Sequence, residues 1–161
     1  PEKVIRVIQT VADACGPQGV VGGQVVDILS EGKTVVRETL EYIHTHKTGR
    51  LITASVMLGA LLADADQRAM QSLETYGNAI GLAFQITDDI LDVLGSSETL
   101  GKTVGADEKR GKATYPGLLG LEQARNMQTL LYQKALETLQ CFDEKADPLR
   151  YIARVIIERS S

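Results

Sequence analysis

Residues 66–94, DQRAMQSLETYGNAIGLAFQITDDILDVL, decide the fold of this chain. Asp66 reads as the N-cap of one long helix that ends near Leu94. With about 100° of turn per residue and Gln85 set at zero, Asp88 falls near −60°, Asp89 near +40° and Asp92 near −20°. Asn78 and Gly81 fall near +20° and −40° on the same scale. One narrow face therefore carries two amides, a glycine and three carboxylates. Ile86, Ile90, Leu91 and Leu94 lie on the opposite face, so the helix is two-sided.

The flanking sequence repeats the helical period. Val4, Ile5, Ile8, Val11, Ala12 and Cys15 follow i, i+3, i+4, i+7 spacing up to Gly16-Pro17. Further apolar segments span about 19–30, with Val20, Val21, Val25, Val26, Ile28 and Leu29, and 34–46, opened by Thr34 as a cap. Another follows Gly49, with Leu51, Ile52, Leu58, Leu61 and Leu62. A helix is expected from Gly117 to Phe142, and a last one after Asp147 as N-cap and Pro148 as first helical residue. Short strands at Val20-Val21 and Val25-Val26 are the weaker reading, because Gly22-Gly23 interrupts them. The expectation is an all-α bundle forming a single domain over 1–161.

Composition agrees and excludes other classes. The chain has 161 residues, 17 Lys+Arg against 21 Asp+Glu, 43% apolar and 24% charged residues, and no Trp. That apolar share and small net charge exclude a disordered chain. The acidic excess argues against a general nucleic-acid binder. No apolar run approaches the length of a membrane span. Two cysteines, Cys15 and Cys141, make no disulfide framework and read as buried apolar residues in a reducing compartment.

Three like charges within two turns of helix repel one another. No Lys or Arg lies between Arg68 and Lys102 to relieve them. A solvated acidic face is the bland alternative. A divalent cation explains more, since hard oxygen ligands one turn apart suit Mg²⁺, which keeps waters and accepts substrate phosphates.

Such a cation calls for a phosphorylated partner and opposing positive charge. Lys47 and Thr48 sit between two expected helices, where free backbone N–H groups would favour anions. The segment Gly95–Pro116 has four glycines and seven charges in 22 residues, a length that is usually functional inside a compact domain. Within it Lys102 and Lys112 each follow a glycine. Gln24 and Asp27 form an i, i+3 polar pair after Gly22-Gly23, and those glycines permit close helix approach. His44 and His46 point apart on a helix and do not read as a metal pair.

The stretches GGQVVDIL, HTHKTGRL, GLAFQITDDILDVLG, LGKTVGADEKRGKATYPGLLGL and YIARVIIER resemble the trans-isoprenyl diphosphate synthases, of the geranylgeranyl diphosphate synthase type. The resemblance implies an all-α fold in which two aspartate-rich motifs hold Mg²⁺ around an allylic diphosphate. It makes Asp88, Asp89 and Asp92 metal ligands and places Gln85 against the substrate. It assigns Lys47, Thr48, Lys102 and Lys112 to the diphosphate, with Lys47, Lys102 and Gln85 as the catalytic set. Gln24 and Asp27 match a polar pair lining the cavity. The reaction implied condenses isopentenyl diphosphate with an allylic diphosphate in the cytoplasm or a plastid stroma, usually in a homodimer joined through residues 2–30.

The first aspartate-rich motif and the isopentenyl diphosphate segment are absent from these residues. The expectation is therefore a C-terminal portion of such an enzyme, inactive alone and exposing apolar surface. A class I terpene cyclase also uses DDxxD and Mg²⁺. A regulatory subunit or a helical interaction module would use neither substrate.

Overall fold

In the computed structural model, which describes residues 1–94 and 112–159, every regular element is helical. These are α1 (Glu2–Cys15), α2 (Val20–Ser30), α3 (Arg37–His44), α4 (Arg50–Leu62), α5 (Gln67–Leu94), α6 (Tyr115–Leu119), α7 (Leu121–Thr138) and α8 (Asp147–Glu158). A π-helical stretch occupies Thr45–Gly49 and a 3-10 turn occupies Glu144–Ala146. Asp66 caps α5 as expected, its Oδ1 accepting the Ala69 N–H at 2.8 Å.

α5 is the centre of the bundle, lying between α4 and α7. Its apolar side chains feed two clusters. Leu82, Ile86 and Ile90 meet Leu40 of α3, Tyr115 of α6 and Ala124 of α7. Tyr76, Ala79 and Ile80 meet Ala135, Leu139 and Ala153, the last from α8. Each fully buried aliphatic side chain of this kind contributes about 1.5–3 kcal/mol. The Tyr76 hydroxyl is not wasted, since it donates to the Leu149 carbonyl at 2.7 Å. Among the described residues no helix is long and apolar enough to cross a membrane.

Several expected boundaries are corrected. Gly49 does not separate two helices, because α3, the π stretch and α4 run on as one rod, with the Arg50 N–H reaching back to the Thr45 carbonyl. The helix expected over 117–142 is two, broken at Gly120, whose φ of 86° few side chains would accept. Asp147 is the first residue of α8 and not its cap. Its carboxylate instead takes Arg150 at 2.7 Å, while the same guanidinium donates to the Leu139 and Phe142 carbonyls beyond α7. Both cysteines are exposed, against the expectation of burial.

Gly81 has a different purpose from the one its place on the acidic face suggests. A Cβ there would lie 2.8 Å from the Gly49 Cα, so the residue lets α4 cross α5 closely and does not hold open space for a ligand. Gly23 does the same for α2, where a Cβ would stand 2.2 Å from the Lys47 nitrogen. Val4, Ile5 and Ile8 of α1 and Val21, Val25, Ile28 and Leu29 of α2 are exposed.

Candidate active site

The α3–α4 rod runs antiparallel to the acidic half of α5. His44 meets Asp89, Gly49 meets Gly81, and Thr53 meets Gly77 and Asn78. Lys47 and Thr48 lie between the first two of these contacts, so the rod holds them level with Gln85 on α5. That registration follows from small residues at the crossing, which bring the backbones close. The expected free N–H groups at Lys47-Thr48 are not there, because the helix does not begin at that point. A π stretch inside a helix instead re-aims the side chains it carries. Thr45 Oγ1 supports the stretch by donating to the Glu41 and Tyr42 carbonyls at 2.7 and 3.1 Å.

The three aspartates of the stripe have three different environments. Asp88 is turned outward, its side chain 53% exposed. Asp92, one turn further, is half-buried. Asp89 is turned inward, its side chain 9% exposed, and its Oδ2 accepts from His44 Nε2 at 2.9 Å and from the Tyr115 N–H at 2.9 Å. The helix is thus less cleanly two-sided than its angular pattern suggests. The neighbouring rod covers the +40° flank and makes Asp89 part of the interior.

Lys47 is drawn toward α2. Its Nζ lies 2.6 Å from Asp27 Oδ2, so the ammonium is oriented by a half-buried carboxylate and is not turned onto the stripe. Gln24, one turn earlier on α2, is half-buried, as are Thr48 and Gln85. Lys112 is half-buried just before α6. Lys102 and the glycine-rich connection before Lys112 lie outside the described residues.

Two partners of the stripe were not found by sequence reasoning. Arg159, just past α8, places Nη2 at 3.2 Å from the Phe84 carbonyl and 3.5 Å from Asp88 Oδ1. Its guanidinium stacks 4.2 Å over the Phe84 ring. The absence of basic residues near the stripe in sequence was the signal that one must arrive from elsewhere. His44 was the other, read only as half of an improbable histidine pair.

Burial pushes the Tyr76 hydroxyl up to about 12, and pushes Tyr115 up further, with the Glu41 and Asp89 charges adding to burial and Arg37 opposing it. An open groove of about 620 Å³ lies between α1, α4 and α5. Met70 and Glu74 line it, and they share the angular face of the stripe several turns upstream. None of the stripe's aspartates lines it.

The donor set fits Mg²⁺ of a particular kind. Among the described residues no three His, Cys, Asp or Glu side chains come close enough to cage an ion by themselves. One or two carboxylates completed by water and phosphate oxygens is the usual Mg²⁺ arrangement, and Asp88 and Asp92 one turn apart suit it. Each carboxylate oxygen offers two lone pairs, so Asp89 Oδ2, already accepting two hydrogen bonds, has none left for a metal.

Comparison with known proteins places the chain in a class. Residues 2–152 match the Polyprenyl synthetase family. The chain belongs to that family. It is 46% identical over 159 residues to the geranylgeranyl diphosphate synthase of Cyanophora paradoxa, covering 98% of this chain and 53% of that protein. It is 49% identical over 160 residues to the farnesyl diphosphate synthase of Escherichia coli strain K12, covering 97% of this chain and 54% of that one. A geranyltransferase from Helicobacter pylori, solved with magnesium and isoprenyl diphosphate, superposes with a TM-score of 0.80 at 30% identity, over 97% of this chain and 51% of that one. The chain therefore spans about half the length of the relatives it matches.

Proposed function

We propose that these residues form one wall of the active site of a Mg²⁺-dependent prenyltransferase, which condenses isopentenyl diphosphate with an allylic diphosphate to give geranylgeranyl diphosphate or a similar short-chain product. The observation that supports this reading is the antiparallel registration of the rod on α5, which brings Lys47 and Thr48 to the level of Gln85 along the helix that bears Asp88 and Asp92. It sets a hydroxyl and an ammonium, the latter held on Asp27, near the helix that carries the carboxylates and the amide, and family membership supports reading the set as a diphosphate site.

Breaking the allylic C–O bond leaves a carbocation and sends the electron pair to the departing diphosphate. Bound Mg²⁺ supplies Lewis-acid stabilisation of that growing negative charge. Asp88 and Asp92 would hold it, with Asp89 contributing through Oδ1 at most. Lys47, on leaving Asp27, and Lys112 would meet the diphosphate oxygens as positive charges, and Thr48 and Gln85 would donate hydrogen bonds. Lys102 is assigned to the same task on the resemblance alone. The isopentenyl double bond then forms the new C–C bond, and its proton leaves with the diphosphate. Gln24, beside Asp27, is assigned to the cavity lining on the resemblance alone.

These 161 residues hold one aspartate-rich motif, so we assign them no turnover alone. The exposed apolar faces of α1 and α2 support a homodimer through that region. A soluble compartment, cytoplasm or plastid stroma, is the setting proposed. The test co-expresses this chain with the N-terminal half of a family member and supplies Mg²⁺ and an allylic diphosphate, with and without isopentenyl diphosphate. An elongated prenyl diphosphate formed only with both substrates supports the proposal. A cyclic hydrocarbon from the allylic substrate alone would make the protein a terpene cyclase. No product, together with no Mg²⁺-dependent diphosphate binding, would make it a non-catalytic subunit.

A further inference from the structure

The buried contact between His44 and Asp89 joins more than two residues. Asp89 Oδ2 takes the His44 Nε2 proton and the Tyr115 backbone N–H, both at 2.9 Å, from two segments far apart in sequence. The His44 ring lies 5.4 Å from the Tyr115 ring, tilted by 33°, so the imidazole packs on the residue whose amide shares its carboxylate. Nδ1 of His44 is buried and has no hydrogen-bond partner among the described residues, where the bond to Asp89 is the polar interaction that fixes the ring. A hydrogen bond to a buried carboxylate is among the stronger ones, and removing the His44 donor leaves the charge with the Tyr115 N–H but one donor fewer.

The three segments joined here each lead to a different part of the proposed site. His44 ends α3 and is followed directly by the π stretch with Lys47 and Thr48. Asp89 lies on α5 between Asp88 and Asp92. Tyr115 opens α6, three residues after Lys112, and Ala113 between them packs against the core cluster of Leu40, Ile86 and Ile90. Thr114 Oγ1 caps the same turn by accepting the Gly117 N–H at 3.2 Å. One carboxylate oxygen thus links both lysine-bearing segments to the helix bearing the outward aspartates.

We propose that His44 is a positioning residue for diphosphate binding, acting through Asp89 to lock Tyr115, and with it Lys112, in register with Lys47 and the metal-binding face of α5. This rests on the reading of the site as a Mg²⁺–diphosphate site. In this role Asp89 serves the site through its hydrogen bonds. Simple apolar packing at position 44 would not be enough, because the donor at Nε2 is what holds the carboxylate to the Tyr115 amide.

The test compares the wild-type 161-residue chain with His44→Phe, which keeps a ring but no donor, and His44→Gln, whose amide nitrogen reaches about as far as Nε2. Two quantities are read: hydrogen exchange of the Tyr115 amide without ligand, and Mg²⁺-dependent binding of inorganic pyrophosphate. His44→Phe is expected to speed Tyr115 exchange and to weaken pyrophosphate binding, each by about tenfold or more, as loss of a hydrogen bond to a charged partner implies. His44→Gln should stay within about threefold of wild type on both, the rescue expected when the donor is what matters. Unchanged Tyr115 exchange in His44→Phe, or a His44→Gln variant as impaired as His44→Phe, overturns the proposal. If His44→Phe does not fold, the Gln variant decides, since fast Tyr115 exchange there overturns it and wild-type protection supports it. If the wild type binds no pyrophosphate with Mg²⁺, the functional reading of the site fails, while the exchange result still decides whether His44 locks Tyr115.

Discussion

Asp88 and Asp89 are neighbours in sequence with opposite assignments, and substitution should separate them. Asp88 is exposed, so Asp88→Asn is expected to change stability by no more than about 0.5 kcal/mol. The same substitution should weaken Mg²⁺-dependent pyrophosphate binding by about tenfold or more, because a carboxylate ligand is replaced by a neutral one. Asp89→Ala leaves two buried donors unpaired and should cost about 2 kcal/mol or more in urea unfolding. Equal stability losses in the two variants would contradict the inward and outward placement described here. The pattern DDxxD was legible in the sequence as a common acidic face, since helical periodicity fixes directions along one helix. It could not tell which aspartate the α3–α4 rod would cover, because that depends on a contact between positions 45 residues apart. Arg159 was invisible for the same reason, at a separation of 71.

At the scale of elements, the crossing of α4 over α5 is set by backbone proximity. Gly81→Ala would put a methyl group 2.8 Å from the Gly49 Cα, backbone that has nowhere to go. Such overpacking is expected to destabilise by about 1–3 kcal/mol, with a lower thermal midpoint as the readout. A midpoint at or above wild type would show that the crossing is looser than described. The packing of α5 against α8 carries a pH signature. Tyr76 ionises near 10 when unfolded and at about 12 when folded, because burial disfavours the phenolate. The unfolded chain therefore binds fewer protons across that interval, and stability should fall as pH rises from 10 to 12. Denaturant midpoints measured across that range check the sign, and a midpoint that rises would refute it. The helices themselves were readable from apolar spacing, and Asp66 from its place before α5. The merger of α3 with α4 was not, because Gly49 carries a helix-breaking propensity that the close approach of Gly81 outweighs. The break at Gly120 was missed for the opposite reason, since the apolar pattern continues across it and only a positive φ marks the stop.

At the scale of the whole molecule, α1 and α2 both expose large apolar side chains, among them Ile5, Ile8, Ile28 and Leu29, and contiguous exposed apolar residues mark interaction sites. Sedimentation is expected to show association of the 161-residue chain, and the double substitution Ile5→Lys and Ile8→Lys is expected to reduce it. A monomer under both conditions would remove the support for a dimer through this region. The family was legible because several motifs recur in order along the chain, whereas product length was not, and relatives of similar identity are named for both farnesyl and geranylgeranyl products. The central claim remains that the outward face of α5 binds Mg²⁺ together with a diphosphate. Calorimetric titration of the chain with inorganic pyrophosphate, in Mg²⁺ and then in excess chelator, tests it most directly. Saturable binding that requires Mg²⁺ and weakens at least tenfold in Asp88→Asn is the result predicted. Binding that is absent, or equal with and without the metal, would contradict it.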